Sequence, residues 1–267
     1  MEERKKDTIY ELDGTVPLKK ALPLGIQHIL AMFLGNISPL IIICGMLQMS
    51  GALKMTLIQN AMFVAGVATL IQLYPFWKIG SGLPIVMGTS SGFIGTAKAI
   101  GAAFGYGALM GASFVGGLFE MVLGYFIKPL RKLFPPVVTS LVIISIGLSL
   151  LPVGFDFNMQ AIIAMGIMFI ATTVETIGDT SGVANGGLNR EATDKELQGS
   201  VMADGLGSVL GSIFGVLPNT SFSQNVGLVA VTKVVNRFVI MTGAVFLILC
   251  GFCPKLSALF SVMPQSV

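Results

Sequence analysis

The 267-residue chain is 54% hydrophobic and only 11% charged, with a mean hydropathy of +0.85, whereas an ordinary soluble domain carries about 25% charged residues. Its net charge of +3 is spread over short loops and builds no basic surface for nucleic acid, so the implied solvent is a lipid bilayer. Cys44, Cys250 and Cys253 form no disulfide framework, and Cys250-x-x-Cys253 lacks the second pair or the histidine of a zinc or redox motif; the three read as core thiols.

In chain order, residues 1–20 form a polar segment too charged to be the apolar core of a cleaved signal. Apolar windows follow at 22–47, 56–76, 83–99, 102–127, 137–155, 160–185, 199–216, 217–235 and 238–260. Most are long enough to cross a ~30 Å hydrocarbon core as helices of roughly 20 residues. With the N-terminus inside, thirteen cations (Arg4, Lys5, Lys6, Lys19, Lys20, Lys78, Lys128, Arg131, Lys132, Arg190, Lys195, Lys233 and Arg237) fall on the cytoplasmic side. Three (Lys54, Lys98 and Lys255) fall outside, the asymmetry of a multi-pass protein with about nine crossings.

Two windows cannot be plain helices. Leu83-Pro-Ile-Val-Met-Gly-Thr-Ser-Ser-Gly-Phe-Ile-Gly95 and Leu217-Pro-Asn-Thr-Ser-Phe-Ser-Gln-Asn-Val-Gly227 share a Leu-Pro start, a Thr-Ser pair and a glycine opening into helix. Interrupted segments at matching places in two halves point to a transporter's binding site. Each half-helix begins with unpaired backbone N–H groups and the positive end of its dipole.

The glycines support close helix packing, since 33 in 267 residues exceeds the usual ~7% and they lie inside apolar windows. Gly207, Gly211 and Gly215 recur every four residues, and Gly107 with Gly111 repeats the spacing, so each set lays a flat stripe along a helix for packing.

Glu175, Asp179 and Asp204 lie in stretches that read as membrane-buried, where a carboxylate costs about 2.5–3.5 kcal/mol on insertion scales. Glu175 and Asp179 are four residues apart on one helix face. Burial disfavours the charged form of such acids, which suits them to hold and release a proton; Asp179 alternatively ends the helix at the cytoplasmic surface. Gln224 and Asn225 each offer a donor pair and an acceptor, fitted to the edge of a heterocycle. His28, the single histidine, follows Gln27 in the first span and reads more readily as a structural hydrogen bonder than as a proton carrier. Neither metal-ligand spacing, a nucleophile–base pair nor a phosphate loop is visible, so the chain does not read as an enzyme and calls for no cofactor beyond the coupling proton.

Gly25-Ile-Gln-His-Ile-Leu-Ala-Met-Phe33, Val174-Glu-Thr-Ile-Gly-Asp179 and Asn219-Thr-Ser-Phe-Ser-Gln-Asn-Val-Gly227, together with Ile9-Tyr-Glu-Leu-Asp13, resemble the signatures of the xanthine/uracil permeases, the nucleobase–ascorbate transporters. The resemblance runs over nearly the whole chain. It implies an all-α polytopic fold, an inverted-repeat core whose two broken spans each hold a short β-strand, sliding against a gate domain. It further implies that Glu175 hydrogen-bonds the nucleobase and Gln224 grips its other edge, with Ser91, Gly92, Phe222, Ser223 and Asn225 around the substrate. Asp204 then serves proton coupling, Asp179 is an essential neighbour and His28 a supporting hydrogen bonder. Uracil-selective members carry glutamate where this chain has Gln224, which favours xanthine or urate, carried with protons across the cytoplasmic membrane.

The chain departs from the family at Ser91–Gly92, where many relatives place an aromatic, and in length. Spans matching the first to fifth and eighth to eleventh are present, while the loop Gly154–Gln160 joins the fifth directly to the eighth. The expected domains are residues 21–130 as the first core repeat, 131–159 as a single gate-type helix and 160–267 as the second core repeat. Partnership is expected as a homodimer or with a full-length permease. The alternatives are a shortened, non-transporting protein that binds nucleobase or joins such a permease, a uracil permease, or an anion carrier of the same fold.

Overall fold

The computed structural model describes residues 8–127 and 158–255; the gate-type helix expected at 137–155 lies outside the described residues. Helix α1 (Leu18–Met46) is followed by α2 (Gly51–Leu73), strand β1 (Met87–Thr89), a 3-10 turn (Ser91–Phe93) and α3 (Ile94–Tyr125). Next come α4 (Asn158–Leu188), α5 (Asp194–Ile213), strand β2 (Asn219–Ser221), α6 (Ser223–Thr232) and α7 (Arg237–Gly251). Four helical stretches, Leu18–Met46, Gly51–Leu73, Ser91–Tyr125 and Met159–Leu188, are long and apolar enough to cross a membrane. The windows at 83–99 and 102–127 merge into α3, which is broken at Gly105 with φ +84°, a conformation glycine adopts without steric cost.

Both windows that could not be plain helices are interrupted as expected. Their extended pieces pair with each other: β1 and β2 run antiparallel, with Met87 opposite Ser221, Gly88 opposite Thr220 and Thr89 opposite Asn219. The bare edges of this two-stranded ribbon are covered by side chains. Thr69 Oγ1 of α2 accepts from Met87 N at 2.9 Å and Asn36 Oδ1 of α1 accepts from Thr89 N at 2.7 Å. Ser208 of α5 accepts from Asn219 N at 3.0 Å and donates to Asn219 O at 3.2 Å. Flanking backbone bonds, Ser90 N to Pro218 O at 2.9 Å and Phe222 N to Val86 O at 3.0 Å, close the ends.

The helices pack closely at glycines, with Gly207 and Gly211 of the expected set among them. A Cβ on Gly205 of α5 would lie 2.6 Å from the Gly117 carbonyl oxygen of α3, and one on Gly117 would lie 2.7 Å from that of Gly205. Gly25 of α1 and Gly243 of α7 meet in the same reciprocal way. Gly107 and Gly111, in contrast, face open space among the described residues, because the α3–α5 crossing lies farther along α3. Gly207 does pack, against Asn219 and Ala68, but Gly215 lies beyond the end of α5 at φ +70°, where it terminates the helix. Cys44 and Cys250 are buried and Cys253 is exposed, so the core-thiol reading fits two of the three.

One end of the bundle gathers the loops that carry most of the described cations. Arg237 pairs with Asp13 at 2.7 Å and donates to Gly82 O, and Lys78 lies 4.2 Å from the Tyr125 ring centroid. Ile9 O accepts from Val235 N at 3.1 Å and Leu12 O from Arg237 N at 2.9 Å, while Asn236 caps α7 and donates to Glu11 O and Gly14 O. The N-terminal segment is thereby stitched to the α6–α7 link. At the same end Thr193 and Glu196 form a capping box at the start of α5, and Arg190 grips the Glu196 carboxylate with both guanidinium nitrogens, at 2.9 and 2.6 Å.

Gly205→Val forces backbone apart at the α3–α5 crossing and should destabilise the chain by about 1–3 kcal/mol or more, read as a lower unfolding temperature in detergent. Burial opposes ionisation of Glu196, but hydrogen bonds from Arg190 and Thr193 outweigh it and hold the carboxyl below its usual range. A depressed acid stabilises the fold above its unfolded value and loses that contribution as pH falls through the folded one. Glu196→Gln should therefore lower the unfolding temperature at neutral pH, with the gap to wild type closing below about pH 4.

Candidate substrate and proton site

The ribbon, α4 and α5 converge on a set of buried acids and hydroxyls. On α4, Thr172, Thr176 and Thr180 follow the four-residue repeat that places side chains on one face, and all are buried. Thr176 donates to Asp204 Oδ2 of α5, which also accepts from Thr220 Oγ1 of β2 at 3.3 Å. Thr180 donates to Ser200 at 2.7 Å, and Ser200 in turn accepts from Gln72 of α2 at 2.5 Å. Asp179 accepts from Ser221 at 2.6 Å and from Ser223 at 2.8 Å, one bond on each oxygen. Thr176 lies 3.5 Å from Ser221 as well, so an unbroken line of polar atoms runs Asp179–Ser221–Thr176–Asp204.

Asp204 is fully buried, as expected for an acid inside a membrane span, and Asp179 is 7% exposed. Asp179 is thus built into the ribbon by two serines rather than ending a helix at the surface. Glu175 stands one turn before Asp179 on α4, within a helix long and apolar enough to cross a membrane, and its side chain is exposed on the surface of the bundle. Gln224, Ser223, Ser91 and Gly92 are exposed too, at the two helix starts that follow the strands. The open side of the site is therefore formed by the first residues of the two half-helices and by Glu175.

Three other expected site residues are occupied elsewhere. Phe222 is buried, and its ring fills the space over Gly35 of α1 and Gly88 of β1, where a Cβ would lie 2.8 and 2.6 Å from it. Asn225 is 1% exposed, and its amide nitrogen lies 3.1 Å from His28 Nδ1 and donates to His28 O at 2.8 Å. Each of these two side chains partners the other, locking α6 to α1. This is the structural role that a lone histidine in an apolar helix most often has.

One acid was missed by sequence reasoning. Glu120 of α3 is completely buried and accepts from Thr172 Oγ1 at 2.9 Å. Its signal lay in the window 102–127, where it stands among Gly116, Gly117 and Gly124, the only acid in a run of apolar and small residues.

Bundled apolar helices around two broken segments, with carboxyls and amides at their junction, define a polytopic membrane protein of the permease class. The profile of the Permease family, the xanthine/uracil permeases, matches residues 19–159 and 154–267, and the chain belongs to this family. It is 27% identical to the nucleobase transporter PlUacP of Paenibacillus larvae, over 93% of this chain and 76% of that protein. It is 25% identical to the xanthine permease XanQ of Escherichia coli strain K12 (98% and 77%) and 27% identical to the uric acid permease PucK of Bacillus subtilis (91% and 76%). The match to XanQ extends over 358 positions, more than the 267 residues available, and the two profile matches meet at residues 154–159. That is the loop at which the fifth family span was expected to join the eighth.

The His28–Asn225 lock yields a stability prediction. Asn225→Leu leaves a buried imidazole and a carbonyl without their donor and should cost about 1–3 kcal/mol, measured by thermal unfolding in detergent, with or without added purine.

Proposed function

We propose that this chain is a proton-coupled carrier of an oxidised purine, xanthine or urate, in the cytoplasmic membrane. The observation that carries the reading is the antiparallel β1–β2 ribbon, which brings two half-helix starts and the acids of α4 to one junction. Antiparallel pairing of two similar segments is what an inverted repeat with its axis in the membrane plane produces. On this reading residues 21–130 and 160–267 are the two core repeats, and residues 131–159 supply a gate-type helix. About nine crossings, with the N-terminus in the cytoplasm, match the gathering of Lys78, Arg190, Lys233 and Arg237 at one end.

Glu175 is the group that accepts hydrogen bonds from purine N–H donors. Gln224, with one acceptor and two donors, reads the alternating N–H and C=O of the opposite edge. Ser91, Gly92 and Ser223 present N–H and hydroxyl groups beside it, and the helix starts favour electronegative atoms. The names of XanQ, PucK and PlUacP agree with a purine base as cargo. Asp204 holds the coupled proton, linked to the substrate end through Thr176, Ser221 and Asp179. His28 supports this arrangement from α1 through Asn225.

The test is uptake of labelled xanthine and urate into proteoliposomes carrying an inward proton gradient. Glu175→Gln should abolish uptake, and Gln224→Ala should weaken it about tenfold, the worth of one hydrogen bond to a charged or polar edge. Uptake by Glu175→Gln equal to wild type sinks the assignment. The shortened stretch at 154–159 favours a second reading, a purine-binding protein that needs a full-length permease for flux. Binding without uptake, or uptake only on co-expression, identifies it.

A further inference from the structure

Glu120 has no part in the reading above, yet it is as deeply buried as Asp204. Both have zero exposure. Thr172 occupies Oε1 of Glu120, and Thr176 and Thr220 occupy Oδ2 of Asp204. Glu120 Oε2 and Asp204 Oδ1 are left without a hydrogen-bond partner among the described residues. The neighbouring residues fix the two acids at one level: Gly205, next to Asp204, would bring a Cβ to 2.6 Å from the backbone nitrogen of Met121, next to Glu120. Among the described residues, the charged groups acting on Glu120 are Asp204 from α5 and Glu175 from α4, both acids. An uncompensated pair of buried carboxylates is too costly to persist, so the charge is removed by protons.

We infer that Glu120 and Asp204 form a single proton-holding carboxyl pair at the α3–α5 crossing, reached from the substrate end through the threonine face of α4. Two like-charged carboxyls that cannot both ionise bind protons as a unit, so neither residue has a titration of its own. Each bare oxygen is a seat for a proton, forming a neutral carboxyl and consuming one negative charge. Thr172 and Thr176, one turn apart, contact the two members, and their hydroxyls can turn from donor to acceptor as the proton arrives or leaves.

The inference rests on the proton-coupled reading for its transport consequence but not for its physical test. In membranes or detergent, the infrared carbonyl stretch of protonated carboxyls is followed against pH for wild type, E120Q, E120D and D204N. A pair predicts that E120Q and D204N each change the band beyond the loss of one oscillator, and that E120D shifts it without removing it. Additive changes from the two single variants, or a wild-type band that owes nothing to Glu120, overturn the pair. If E120Q does not fold, the shift in E120D decides the matter. In xanthine-loading proteoliposomes, E120Q should need an outside pH about one unit more acidic for the same uptake, a tenfold rise in protons, with E120D lying between. A pH profile of E120Q superimposable on wild type also overturns the pair. Absence of xanthine and urate uptake by the wild type counts against autonomous transport alone and leaves the pair standing, because the infrared titration needs no purine.

Discussion

Extended backbone inside an apolar helical bundle has to find partners for every N–H and C=O, because lipid offers none and the backbone groups of neighbouring helices are already paired. Here two three-residue strands solve the problem for each other, and three polar side chains from three helices finish it: Asn36, Thr69 and Ser208. Those side chains look out of place in apolar spans until the ribbon they serve is drawn. The ribbon in turn determines where the half-helices α3 and α6 begin, and so where their free N–H groups point. Glu175, Asp179 and Gln224 would be scattered polar residues without it.

The acids are arranged by depth. Glu175 is exposed; Asp179 is covered by two serines; Asp204 and Glu120 are fully enclosed. Serine and threonine hydroxyls contact Asp179, Asp204 and Glu120, and each can donate to a carboxylate or, after rotating, accept from a protonated carboxyl. The stripe Thr172–Thr176–Thr180 therefore links the open end of the site to its closed interior while keeping α4 packed. Its spacing gives the helix a polar seam that touches α3, α5 and the ribbon in turn.

Much of this was readable beforehand because it is written in local pattern. The repeated Leu-Pro and Thr-Ser pairs announced two interrupted spans, and the acids on α4 marked the candidate site. What escaped depends on contacts between distant segments. Glu120 sits in an apolar window, and only the crossing of α3 with α5 places it beside Asp204. The use of Asn225 for His28, 197 positions away, is likewise invisible to spacing. Gly107 and Gly111 carry the right interval for packing, but which turn of a helix meets its neighbour is decided by tertiary fit. The apolar run placed Glu175 and Asp179 alike at membrane depth, but that one is exposed on the bundle and the other covered depends on how α4 packs.

The strap formed by residues 9–14 against 235–237 has a bearing on biosynthesis. Residues 9–14 are synthesised before the segment preceding the last described helix, which gives them their backbone partners more than two hundred residues later. Until then Ile9 and Leu12 keep their carbonyls hydrated, and α1 packs against α2, β1 and α3 without α7. Insertion can proceed span by span, but this latch closes only once residues 235–237 have been made.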